Sequence, residues 1–96
     1  MQPSQILAQK RNEVLALTAR SKAGNVRVFG SVRHGEDKDG SDIDLIVDPL
    51  PGATLFDLGG LQVALEELLG VRVDLLTPGD LPAKFRERVL KDAVPV

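Results

Sequence analysis

None of the 96 residues is a cysteine, so the chain has to fold without a disulfide framework or a thiolate metal site. Its length accommodates one small domain, residues 1–96, and such a domain buries only about 60–65% of the surface its unfolded chain exposes. Stability must therefore come from packing or from a partner. Three Phe with no Trp or Tyr leave little surface on which single-stranded nucleic acid could stack. A net charge of −2 also opposes general affinity for polyanions, so no direct nucleic-acid partner is expected. No apolar run is long enough to span a membrane and no signal-peptide pattern is present, so the expected location is cytoplasmic.

The hydrophobic periodicity predicts the order α–β–loop–β–α–β–α. Ser4 to about Lys22 is rich in helix formers, with Ser4 as N-cap and Gly24-Asn25 as the stop. Asn25–Phe29 alternates and is β-branched, and it ends abruptly in Gly30-Ser31. After a loop from Arg33 to Ser41, Asp42–Val47 reads as a strand whose first half alternates and whose second half is wholly apolar. Thr54 and Asp57 form a capping box ahead of the stripe Leu58, Leu61, Leu65 and Leu68, and Gly70 closes that helix. Val71–Leu76 is a third strand, and a turn at Thr77–Asp80 leads to a last helix with Leu81, Phe85 and Val89 on one face. The fold class is α/β or α+β, with a small sheet flanked by helices. Strand order and direction are left open by the pattern.

The charges are unevenly placed. Residues 1–33 carry Lys10, Arg11, Arg20, Lys22, Arg27 and Arg33 against the single acid Glu13. Glu36, Asp37, Asp39, Asp42, Asp44 and Asp48 then follow, with Lys38 alone between them. Of these, Glu36, Asp37 and Asp39 read as solvated loop. Asp42 and Asp44 are two apart on a strand, so both side chains leave one face about 6.6 Å apart. Two carboxylates so placed can share a pair of divalent ions that activate an attacking oxygen and neutralise a leaving group. Alone, the pair equally fits an exposed strand edge.

Asp74 adds weight. It interrupts an apolar strand, where Asp has poor propensity, and sequences that break their local rule do so most often at functional sites. If the third strand lies beside the second, Asp74 joins Asp42 and Asp44 as an oxygen ligand; otherwise it pairs with Arg72 on its own face. Oxygen ligands without His or Cys suit Mg²⁺, or Mn²⁺, rather than zinc. Gly30 permits close approach of backbone to a ligand, and Ser31 can offer its hydroxyl and N–H to a phosphate. Arg33 would then be placed to meet phosphate charge. Gly35–Ser41 lacks the Lys of a P-loop, and the Gly position of an EF-hand loop holds Asp42. His34 is the sole His and reads as a surface residue.

Gly30-Ser31, ten intervening residues, Asp42-Ile43-Asp44 and the strand residue Asp74 together resemble the nucleotidyltransferase signature of the DNA polymerase beta superfamily. The likeness is greatest to its shortest branch, the minimal nucleotidyltransferase (MNT) domains, and it extends to Leu68–Leu75 and over nearly the whole chain. The resemblance implies a mixed-sheet nucleotidyltransferase fold in which Gly30 and Ser31 hold the nucleoside triphosphate. It implies that Asp42 and Asp44 bind two Mg²⁺ ions and that Asp74 completes the metal site or helps deprotonate the acceptor. The implied reaction transfers AMP from ATP, or another nucleoside monophosphate, to a hydroxyl and releases pyrophosphate. Many stand-alone members resemble antitoxins paired with a HEPN-domain ribonuclease toxin, which they bind and can adenylylate. Two alternatives are an antitoxin that blocks its toxin without catalysis, and a small-molecule adenylyltransferase working with a helical partner subunit. Larger relatives carry an added helical domain for the acceptor, so at this length a partner is expected to supply that site.

Overall fold

In β2 (Ile43–Pro49), the run Ile43, Leu45, Ile46 and Val47 has no exposed surface on either side, which only a central strand covered on both faces achieves. The computed structural model, which describes residues 1–96, places β2 accordingly. The sheet order is β3–β2–β1–β4, with β1 spanning Ala23–Phe29, β3 Val73–Leu76 and β4 Val94–Pro95. β2 runs parallel to β3 and antiparallel to β1, and β4 closes the far edge antiparallel to β1. The mixed sheet answers the strand order and direction that hydropathy left open.

One face of the sheet holds the core. Val26 and Val28 of β1, Ile43, Leu45 and Val47 of β2, and Val73 of β3 pack there beneath the helices. The helices α1 (Pro3–Gln9), α2 (Arg11–Arg20) and α4 (Leu55–Leu69) supply Leu7, Val14, Leu61, Leu65 and Leu69. The buried ridge of α4 is centred on Leu61, Leu65 and Leu69 at i, i+4 and i+8; Leu58 and Leu68 flank it half-buried. Thr54 and Asp57 close the expected capping box at its start, and Gly70 takes φ +71 at its end, a left-handed cap that glycine adopts without a Cβ penalty. Replacing Leu65 with Ala is expected to lower unfolding free energy by about 2–5 kcal/mol in urea titrations, because the surrounding core cannot collapse to fill the void.

Three local features differ from the periodicity. The first helical segment is two helices joined at Lys10, where φ is −101° and ψ 11°. The two pieces have separate anchors: the Ser4 N–H donates to Asp37 Oδ2 at 2.9 Å, while Arg11 Nε donates to the Val96 carbonyl at 3.0 Å. The last helix, α5 (Ala83–Asp92), buries no residue completely. Its expected stripe fails because Pro82 starts the helix and leaves Leu81 extended and out of helical phase; Leu81 is buried, whereas Phe85 is 44% exposed. β4 is too short to carry a periodic signal and forms because β1 offers it an open edge. No helix is long and apolar enough to cross a membrane.

Candidate active site

Side chains on the sheet's second face come in cross-strand rows. Phe29 of β1, Asp44 of β2 and Asp74 of β3 are register partners in one row. Arg27, Ile46 and Leu76 form the next. A parallel pair with Asp44 directly beside Asp74 thus realises the neighbouring-strand condition that the strand position of Asp74 raised. The alternative Asp74–Arg72 pair does not form among the ion pairs. Glu66 helps to set this register from α4, since its Oε2 accepts the Val73 N–H at 3.1 Å, one residue before Asp74.

Burial pushes the Asp44 carboxyl up to about 6, and a hydrogen bond and like charge from Asp74, then the charge of Asp42, add to the shift. Asp42 lies two residues earlier, just ahead of β2, and is half-buried. None of the three acids has a cationic partner within the molecule. The three do not close into a three-ligand cage around one point. Their donor set is oxygen alone and fits a hard divalent cation such as Mg²⁺ or Mn²⁺.

Gly30 follows β1 directly and opens the single-turn helix α3 (Gly30–Arg33) at φ +72. A Cβ built there would fall on Asp44 Oδ2 and lie 3.2 Å from its Cγ. The turn and the central acid therefore touch, and only glycine fits between them. Ser31 is half-buried beside it, with no side-chain hydrogen bond inside the molecule. Arg33 turns elsewhere: its Nε donates to the Asp92 carbonyl at the end of α5, at 2.8 Å. The neighbouring His34 Nε2 donates to Asp92 Oδ2 at 2.7 Å, so the single histidine, exposed as expected, also ties α3 to α5.

Two acids play parts the sequence reading missed. Asp37 is buried, and the Ser4 N–H holds its carboxyl below the usual range, so it is a fastener between α1 and the loop, not solvated loop. Asp92 clamps the glycine turn to α5. Neither breaks a local rule of composition, and the bonds that define them cross 33 and 58 positions of sequence. Asp48 ends the acidic run in a pair with Arg27 and an Asn25 hydrogen bond, away from the row of acids.

A mixed sheet whose parallel strands bring two aspartates together, against a glycine turn opening a short helix, defines the class: an α+β core of nucleotidyltransferase type. The chain belongs to the nucleotidyltransferase domain family, whose profile matches residues 11–96. It is 38% identical over 78 residues to the protein adenylyltransferase MntA of Thermococcus cleftensis, covering 81% of this chain and 79% of that one. It is 34% identical over 86 residues to a Methanocaldococcus jannaschii protein provisionally named a protein adenylyltransferase, covering 90% and 92%. A solved structure provisionally named a minimal nucleotidyltransferase superposes with a TM-score of 0.87 at 47% identity, over 97% of this chain and 95% of that one. A toxin–antitoxin crystal structure with AMP-PNP shares the fold at TM-score 0.73 and 22% identity, over 88% of this chain and 69% of that one.

Proposed function

We propose that this protein is a magnesium-dependent protein adenylyltransferase that moves AMP from ATP to a hydroxyl on a partner protein, as the antitoxin of a HEPN-domain ribonuclease toxin in the cytoplasm. The observation that carries this reading is the contact between Gly30 and Asp44, with Asp74 alongside. That contact sets the backbone of the glycine turn directly against two carboxylates. Relatives named protein adenylyltransferase support the reaction, and the neighbour solved as a toxin–antitoxin with AMP-PNP supports both the nucleotide and the partner.

In this reading Asp42, Asp44 and Asp74 hold the metal, which when bound supplies positive charge for the phosphates. Gly30 lets the turn approach the acids closely, and Ser31 offers the triphosphate a hydroxyl and an N–H. The acceptor oxygen bonds to the α-phosphorus as the bond from that phosphorus to the bridging oxygen of the β-phosphate breaks. The electron pair departs with pyrophosphate. Asp74, the more exposed member of the facing pair, takes the acceptor's proton.

Incubation with Mg-ATP and the product of the neighbouring gene tests the reading. Label from the α-phosphate is expected on the partner, and label from the γ-phosphate is not. Neutralisation of the partner with no transferred label would leave a binding antitoxin in place of the enzyme.

A further inference from the structure

The glycine turn is flanked by two arginines that the fold uses differently. Arg33 gives its Nε to the carbonyl end of α5. Arg88, one turn from that end, lines a cavity of about 450 Å³ between α3 and α5, together with Phe29, Gly30, His34, Val89 and Asp92. Arg33 does not line it. The carboxylate nearest to Arg88 in sequence on the cavity side, Asp92, is taken by His34, and Glu87 is taken by Lys91 at 3.3 Å. Arg86 is occupied by the carbonyls of Pro78 and Leu81, and Lys84 sits 5.7 Å above the Phe85 ring. Arg88 is the one cation of α5 without a partner, and it lines the cavity that Gly30 also lines.

We propose that Arg88 binds the β- and γ-phosphates of the nucleoside triphosphate and then the departing pyrophosphate. The assignment rests on the nucleotidyltransferase reading above. Asp44 and Asp74 repel a polyanion, so a cation in the cavity beside Gly30 favours its entry. A guanidinium offers paired N–H donors that match phosphate oxygens. Gly30 itself lines the cavity, so the cavity reaches the turn. As the bond from the α-phosphorus to the bridging oxygen breaks, negative charge grows on the pyrophosphate, and Arg88 meets it on that side.

Calorimetric titration of the intact protein with ATP and with AMP, each in Mg²⁺, separates the possibilities. In Arg88→Ala the affinity for ATP is expected to fall about 10- to 100-fold while that for AMP changes less than about twofold, as the loss of charged hydrogen bonds to phosphate dictates. Arg88→Lys should recover part of the ATP affinity, because lysine keeps the charge and loses the fork. The melting temperature without ligand should not move, since Arg88 is exposed and makes no hydrogen bond. ATP binding by Arg88→Ala equal to that of the unaltered protein overturns the assignment and leaves the nucleotidyltransferase reading standing. Equal losses for ATP and AMP overturn it too, placing Arg88 on the nucleoside. An unaltered protein that binds no Mg-ATP overturns both.

Discussion

Asp44→Asn is expected to abolish nucleotidyl transfer and, at pH 8 in EDTA, to raise the melting temperature. Both follow from one carboxylate held among two others. The catalytic loss should be on the order of 10³-fold or more, as for other groups that stabilise developing charge directly. The stability gain has the opposite sign because the folded state disfavours the ionised form: the carboxyl is pushed up to about 6 from an ordinary value of 3.8. The unfolded chain therefore ionises first as pH rises, and the fold bears a cost that is absent below about pH 4 and complete above about pH 6. Asparagine removes that cost without changing the side chain's shape. Melting curves of the two proteins should coincide near pH 4 and separate by pH 8. A variant that melts lower than the parent at pH 8 would show that burial and the neighbouring acids do not disfavour the ionised Asp44.

Gly30→Ala is expected to cost as much activity as Asp44→Asn while lowering the melting temperature. Two penalties combine. A backbone at φ +72 costs any residue with a Cβ about 1–2 kcal/mol, and the new methyl would occupy the space of Asp44 Oδ2. The carboxylate must then leave the row it shares with Asp74. A double-mutant cycle separates the two effects. In the Asp44→Ala background the nearest remaining atom is Cβ, at an ordinary 3.5 Å, so only the backbone penalty survives and Gly30→Ala becomes milder. Strict additivity of the two substitutions would count against the contact.

The parts of this molecule that sequence disclosed are those where a local rule is either kept or broken openly. Thr54, Asp57 and Gly70 keep the rules of helix ends, and α4 forms between them. Asp74 breaks the rule for an apolar strand, and the structure places it beside Asp44. What escaped notice depends on chain reversals that no window of residues encodes. The strand β4 and the Asp92 clamp each join segments far apart in sequence, and the β2–β3 pairing could be named only as a condition. Arg33 shows how a long side chain is placed by distant segments: its Nε is engaged by the Asp92 carbonyl, which no reading of residues 30–33 discloses.

The clamp on α3 also sets when the site can exist. Arg33 and His34 meet Asp92 across 59 and 58 positions, and β4 seals the edge of β1 only after that. During synthesis the acids of β2 and β3 leave the ribosome before their phosphate turn has anything to lean on. Contacts closed over so long a loop form late, once the intervening chain has been ordered. The last turn of α5 is thus a checkpoint on assembly. A chain that displays all three aspartates before α5 has closed onto α3 still lacks the contacts that steady the glycine turn.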